Sequence, residues 1–406
     1  MSAPGYDAVV IGGGPAGSAA ALTLARGGAA VALIEQTQYE DLRWGETLSP
    51  SVRAPLETLG LWQRFTRANH LPSLGVMSYW GTSEAAYRDY AFHPFRTGWH
   101  VDRRRFDAML ADECAASGAH LWHARAVATH RESARWHVVT TADVLHSRLL
   151  VNAAGRHASF LMPEAGQRWF SDCAVALVQT FEVETPRFAW TLIESSANGW
   201  AYSAPLPGNR RVVMFVTEPQ VVRTASMPDL LAAVTHTRRA LQNAGPCHAP
   251  LVQNASTWCR TRLAGHMWLC LGEAATTLDP LTGRGLSRAL MEGIAGGRTA
   301  LAMLAGDDNI AERFQSRIHR RFATDRVTAL GYYRAERRWT DSSFWRRRQD
   351  GRGGHSVDVV SGLHSGESRP SRSSVSHGST TLSPPTSSAG RPPPGRRHRG
   401  GAHKGL

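Results

Sequence analysis

The sequence predicts an α/β protein in which a Rossmann-type nucleotide-binding sheet is interrupted by an antiparallel sheet and closed by C-terminal helices. Three observations carry this reading. Residues Tyr6 to Glu35 follow the order strand, glycine turn, helix, strand. A second glycine-rich turn, Asp279 to Gly285, opens another long helical stretch. Between them, from Ser171 to about Pro219, runs such as Ala174 to Glu182 and Arg211 to Thr217 alternate and are rich in Val, Phe and Thr, as an antiparallel sheet requires.

Tyr6 to Ile11 is a short apolar run suited to a buried parallel strand, and it leads directly into Gly12-Gly13-Gly14-Pro15-Ala16-Gly17. The spacing is G-x-G-x-x-G. Gly12 suits the tight turn, Gly14 leaves the backbone open to a pyrophosphate, and Gly17 lets the following helix close on the strand. That helix, Ser18 to about Arg26, turns free N–H groups and a partial positive charge toward the same place. Ala30 to Ile34 is the second strand, with Glu35 at its tip, where a carboxylate accepts hydrogen bonds from both ribose hydroxyls of an adenosine. A secretory leader is the competing reading of Ala8 to Ala25. It fails because Asp7 precedes the run, no basic residue does, and three glycines interrupt it.

Composition narrows the rest. The 406 residues suffice for two domains or one large α/β enzyme, and a 42% hydrophobic fraction is enough for a packed core. No stretch of about 18 residues is apolar enough to span a membrane, so the expectation is a soluble, cytoplasmic protein with no integral membrane segment. Cys114, Cys173, Cys247, Cys259 and Cys270 form no C-x-x-C pair, which indicates no metal site and makes buried free thiols the default. The formal charge is +13, but eight Lys or Arg against three acids lie from Asp350 onward, and no nucleic-acid-binding motif accompanies the excess. No nucleic-acid partner is expected. Lys404 is the only lysine in the chain.

Further along, Arg43-Trp44-Gly45-Glu46-Thr47-Leu48-Ser49-Pro50 precedes a helix over Val52 to Leu59. Val101-Asp102-Arg103-Arg104-Arg105-Phe106-Asp107 opens a helix from Phe106 to about Ser117, followed by a strand over Leu121 to Val127. Trp136 to Thr141 and Val144 to Val151 form a small meander running into Ala153-Ala154-Gly155-Arg156. In the antiparallel region, Gly199-Trp200-Ala201-Tyr202-Ser203-Ala204-Pro205 puts two aromatics at i,i+2 on a strand. Met227 to Gln242 reads as helix, His266 to Leu271 as a strong apolar strand, and Gly272-Glu273-Ala274-Ala275 follows it. Leu286 to Ala305 and Ile310 to Arg338 are helical. Beyond about Gln349 the chain lacks large apolar residues and should be disordered.

These segments, in this order, resemble motifs of the FAD-dependent monooxygenases and reductases related to tryptophan halogenases, over roughly residues 5 to 345. Within that superfamily they resemble the non-halogenating maturation oxygenases of quinone-cofactor enzymes. The resemblance implies a glutathione-reductase-like FAD domain assembled from 1–85, 86–170 and 261–349, a substrate domain at 171–260, and a basic Ser/Pro/Gly/Arg tail at 350–406. It implies FAD held by Gly12, Gly14, Pro15, Ala16, Gly17 and Glu35. Arg43 and Glu46 would lie beside the isoalloxazine, Arg103 near the phosphates, Val127 at the strand end that closes on the adenine, and Gly155 where the backbone approaches the cofactor. Gly272, Glu273, Asp279, Pro280, Gly283 and Gly285 match the "G-D-A…D-P-x-x-G-x-G" segment, with Glu273 in place of the usual Asp. Trp200, Tyr202 and Pro205 fall on the halogenase W-x-W-x-I-P spacing and would line the substrate pocket.

The implied function is hydroxylation of an electron-rich indole or phenol through a flavin C4a-hydroperoxide, the ring being a small molecule or a tryptophan of a partner polypeptide. Reduction of a carbon–carbon double bond, as in geranylgeranyl reductases, is the alternative. Halogenation is disfavoured: the family's lysine sits in an F-K-L-G context, and Pro72-Ser73-Leu74-Gly75 places Ser73 there. No second G-x-G-x-x-G is present, so electrons would come from transient NAD(P)H or from reduced flavin supplied by a partner reductase. His93 and His100 lie near the flavin-side segment, but no partner carboxylate marks either as a base.

Overall fold

A computed structural model describes residues 5–43, 46–156, 161–184, 189–307 and 309–350. The expectations for Trp44, Gly45 and the tail after Asp350 lie outside the described residues.

The first elements are β1 (Tyr6–Ile11), α1 (Pro15–Arg26) and β2 (Val31–Glu35). β1 is the centre of a parallel sheet. Val10 pairs with Leu33 of β2 on one side and with Val151 on the other, and β2 continues to His120–His123 with Ile34 opposite Trp122. Trp268–Cys270 completes the parallel set through Leu269 opposite Val151. Val9, Val10, Ala32, Leu33, Leu150 and Leu269 are all fully buried, as near-continuous apolar runs covered on both faces must be.

Next in the chain come β3 (Thr47–Leu48), β4 (Leu71–Ser73) and β5 (Gly98–His100), a three-stranded antiparallel patch in which β5 is central. The helix α2 (Arg103–Ala116) starts three residues earlier than the sequence suggests, because the Asp102 side chain accepts from the Arg104 N–H and caps it. The predicted strand Leu121 to Val127 divides. The Ala124 N–H makes a last bond to the Glu35 carbonyl at 2.9 Å, after which the chain leaves the sheet and enters the meander β6 (Ala126–Glu132), β7 (Arg135–Thr140) and β8 (Val144–Asn152). β8 belongs to both layers, since it also pairs with β1.

The antiparallel sheet of the middle region contains Val175–Glu182, β9 (Trp190–Ser196), β10 (Gly199–Leu206) and Arg210–Thr217. Gly75–Tyr79 and Ala86–Asp89, from the stretches allotted to the FAD domain, extend it at the β9 edge, the former in parallel register with Thr191 opposite Val76. The helix expected over Met227 to Gln242 is two short ones, Met227–Ala232 and Thr235–Ala240; Leu230 of the first, and Val234 and Leu241 flanking the second, pack in one apolar cluster with Leu177, Ala201 and Phe215 of the sheet. Of the thiols, Cys114, Cys259 and Cys270 are buried, but Cys173 and Cys247 are exposed.

Three helices close the chain: α3 (Gly285–Leu304), α4 (Ile310–Ala335) and α5 (Ser343–Gln349). α3 packs on α1 through small residues. A Cβ at Gly293 would overlap the Ala16 carbonyl, and one at Gly297 would sit 2.6 Å from Thr23 Cβ. This close approach sets the two glycine-turn helices side by side. Arg288, buried in α3, then binds Glu292 at 2.5 Å and Asp325 of α4 at 3.3 Å, which ties the second helix to the third.

Candidate active site

At the first turn, Gly12 adopts φ 102°, and a Cβ there would meet the Ala153 carbonyl carbon at 2.7 Å. A Cβ on Gly17 would run into the Gly12 carbonyl oxygen. Gly14 differs from both: nothing lies within 4 Å of a Cβ built on it, directly in front of the α1 N-terminus. A Cβ built on Gly155, Gly283 or Gly285 likewise meets nothing within 4 Å. Gly283 has φ 59° and ends the turn Pro280–Thr282 that Asp279 caps, and α3 begins at Gly285 with no side chain capping its free N–H groups. Gly272 joins the two turns, since a Cβ on it would be 2.8 Å from Ala16 Cβ. Open Cβ positions at the N-termini of two helices that pack on each other fit an anionic cofactor such as a dinucleotide.

Glu35 is buried at the tip of β2. Its Oε2 accepts from the Gly13 N–H at 3.0 Å, and its Oε1 accepts from the Thr37 N–H, the Thr37 hydroxyl and Arg43 Nη2 at 2.8 Å. Arg43 also binds the buried Asp107 at 3.1 Å, and Arg103 grips the same carboxylate with Nε at 3.0 Å and Nη2 at 2.9 Å. Arg43, which the resemblance put beside the isoalloxazine, is thus held by two carboxylates, Glu35 at the tip of β2 and Asp107 of α2. Its charge is further favoured by those two carboxylates, although burial opposes this. Tyr39 donates to the Gly13 carbonyl at 3.1 Å and carries the Arg43 guanidinium over its ring at 5.0 Å. Sequence reading passed over Tyr39 and Asp107. The Asp107 signal was available as the last residue of the V-D-R-x-x-F-D segment, one helical turn after Arg103.

At the second turn, Glu273 is half exposed and meets Arg156 bidentately, at 2.5 and 3.0 Å. The longer acid is thus used to reach the arginine of the A-x-G-R turn. Asp279 is buried. Its Oδ1 accepts from the Leu281 N–H at 2.9 Å and its Oδ2 from the Tyr333 hydroxyl at 2.8 Å, and burial raises its pKa to about 6. The Tyr333 hydroxyl in turn accepts from Trp200 Nε1 at 3.2 Å.

Trp200 was expected in a pocket wall. The structure corrects this: its side chain is 0% exposed and packed among Trp80, Tyr333 and Trp345, because α4 and α5 cover that end of β10. Pro205 is buried as well, opposite Arg211. Tyr202, two residues along the same face, points to β3. Its hydroxyl lies 2.6 Å from Thr47 Oγ1, and Thr47 Oγ1 lies 3.1 Å from His100 Nδ1. His100 is fully buried with Nε2 facing the Ala189 carbonyl at 3.5 Å, and burial pushes its pKa down to about 4. A neutral imidazole with its proton on Nε2 makes Nδ1 an acceptor, so the chain runs Tyr202 to Thr47 to His100 as successive donors. His93 is a turn residue accepting from the Phe95 N–H.

Ser73, at the end of β4, is 0% exposed, and its hydroxyl has no hydrogen-bond partner among the described residues. Glu46 is buried, and its carbonyl accepts from the Val101 N–H at 2.8 Å. A cleft beside it is lined by Arg43, Glu46, Arg103, Thr180, Leu206 and Arg210. Val127 lies in β6, 38% exposed, off the sheet strand that was expected to carry it.

Comparison with known proteins places this architecture. LodB of Marinomonas mediterranea, an FAD-dependent oxidoreductase by name, is 26% identical over 362 residues, 84% of this chain and 96% of its own. The myxobacterial chondrochloren halogenase CndH superposes with a TM-score of 0.77 at 23% identity, over 85% of this chain and 86% of its own. The peptidyl tryptophan dihydroxylase QhpG superposes with a TM-score of 0.70 at 23% identity, over 85% of this chain and 79% of its own. At those identities the two structures speak for the fold alone. No helix among the described residues is long and apolar enough to cross a membrane. The family model for the FAD binding domain matches residues 5–324, so the chain belongs to that family and is an FAD-dependent oxidoreductase on a halogenase-like framework.

Proposed function

We propose that this enzyme oxygenates an electron-rich aromatic ring, an indole or a phenol, and does not halogenate it. The observation that carries the reading is Ser73: a buried hydroxyl stands where the resemblance puts the halogenase lysine, and the sequence has no other lysine before Lys404. A serine has neither the cationic donor nor the nucleophilic amine with which a lysine would hold an activated halogen species. A tryptophan dihydroxylase and a halogenase share this fold alike, so the choice rests on Ser73; a ring presented within a partner polypeptide is part of the proposal.

Gly14, with the α1 N-terminus, would hold the FAD phosphates, Glu35 the ribose, and Arg156 with Glu273 the second turn. Bound FAD supplies the redox chemistry and the activation of O2. The chain's own residues do the rest. The α3 N-terminus would favour the negative charge that develops on a reduced flavin ring. Thr47, fixed by His100, orients the Tyr202 hydroxyl at the junction of the two sheets, and the buried surroundings of this trio exclude bulk water. Electrons would reach the flavin from transient NAD(P)H or from a partner flavin reductase.

The test is to incubate the reduced holoenzyme with O2, bromide and a panel of free and peptide-borne indoles and phenols, then weigh the products. Gain of oxygen is expected. Bromine in the product would overturn the reading, and addition of two hydrogens to an alkene substrate would favour a reductase.

A further inference from the structure

The meander carries a second cluster that the cofactor site does not use. In β6 and β7, His130 stands directly opposite His137, and His137 stands directly opposite His146 in β8. Directly opposed residues share a sheet face, so the three imidazoles form a row straight across three strands. Their ring centroids are 4.9 and 4.5 Å apart. Glu132, two residues beyond His130 and hence on the same face, is diagonal to His137. The ligand atoms of His130, Glu132 and His137 all lie within 4.8 Å of one another. The row is exposed or half-buried, and its imidazoles make no side-chain hydrogen bond among the described residues.

Two arginines could neutralise this face, and both are turned elsewhere. Arg148 binds Asp7 and the Leu304 carbonyl, each at 3.2 Å. Arg135, opposite Glu132, lies toward Gly5, where a Cβ would come within 3.1 Å of its Nη1. What remains is a set of neutral nitrogen donors with one carboxylate, anchored on a rigid sheet.

We infer that this face binds one divalent transition-metal ion of the zinc, nickel or copper class through His130, Glu132 and His137, with His146 placed to supply a fourth ligand. Imidazole donors select these ions over magnesium or calcium, which require oxygen ligands. Ligand bonds near 2.0–2.1 Å place tetrahedral donors about 3.3 Å apart, so 4.8 Å closes by side-chain rotation of exposed residues without moving the strands. A bound ion would clip β6 to β7 and, through His146, to β8, the strand that feeds the A-x-G-R turn.

The test uses the full-length, tag-free holoprotein and zinc chloride against a competing chelating dye. Histidines of the tail, such as His398 and His403, also bind zinc, so the comparison is with a His130→Ala/His137→Ala variant that keeps the tail. The wild type should bind one more zinc ion than the variant, and a Glu132→Gln variant should bind that ion at least tenfold more weakly. Cobalt substitution should give the visible bands of a tetrahedral nitrogen–oxygen site in the wild type only. Equal zinc stoichiometry and affinity in wild type and double variant, at equal flavin content, would overturn the inference.

Discussion

Replacing Gly14 by Val should separate cofactor binding from folding, and the contrast with Gly17 makes the result interpretable. Gly14 precedes α1 with φ −75° and ψ −178°, an extended conformation that a β-branched residue adopts without strain. No atom lies within 4 Å of its Cβ position, so the apoprotein should lose no more than about 0.5 kcal/mol, a shift of roughly 1–2 °C in melting temperature. The two added methyl groups instead fill the space in front of the helix N-terminus. Forcing a phosphate against them should cost at least about 1–3 kcal/mol, the scale of overpacking, which is roughly 10- to 100-fold in FAD affinity. Gly17→Ala should behave in the opposite way. Its Cβ meets the Gly12 carbonyl oxygen, so α1 must move off β1 and the apoprotein itself should be destabilised. Scanning fluorimetry of the apoproteins and titration of flavin fluorescence would measure both effects. Unchanged FAD affinity in Gly14→Val, or a fall in apoprotein stability matching that of Gly17→Ala, would refute the reasoning.

Two more predictions rest on the buried polar groups. His100 titrates near 4 in the folded state because burial disfavours its charge, whereas the unfolded chain takes up the proton near 6.5. The unfolded state therefore holds more protons between those values, and stability should fall as pH drops from about 6.5 to 4, by on the order of 2–3 kcal/mol from this group. Asp279, raised to about 6 by burial, works the other way over about 4 to 6, so the His100 contribution is best read as the difference between wild type and His100→Gln in urea melts at pH 7.5 and 5. Equal pH sensitivity in the two proteins would count against a buried neutral His100. Tyr333→Phe should cost about 2–4 kcal/mol in chemical denaturation, since it strands both the Asp279 carboxylate and Trp200 Nε1 in the interior; a loss below about 0.5 kcal/mol would mean that the hydroxyl bridges nothing.

The nucleotide-binding half of the fold was legible because each local signal there has one physical meaning. An apolar run, a glycine turn and an alanine-rich helix in sequence admit few structures, and the open Cβ position at Gly14 against the closed ones at Gly12 and Gly17 matches the separate tasks the spacing assigns. Residues whose surroundings are built by distant elements were not legible. The partners of Arg43 could not be read locally, since one of them, Asp107, is 64 residues away and the other is Glu35 at the tip of β2. Trp200 kept its motif position, yet α4 and α5 pack over it, which nothing in the local pattern announced. His100 lacked a carboxylate partner in sequence, and its partner proves to be Thr47, supplied by a neighbouring strand. The strand break after His123 escaped notice because apolar residues continue through Val127 while the pairing partner changes.

The most direct test of the central claim is the origin of the atom added to the substrate. Reduced holoenzyme given 18O2 and an excess of bromide should yield an aromatic product that carries 18O and no bromine, by mass spectrometry of the intact product. A brominated product without the label would contradict the account, and it would show that the enzyme halogenates with Ser73 in the place of the lysine.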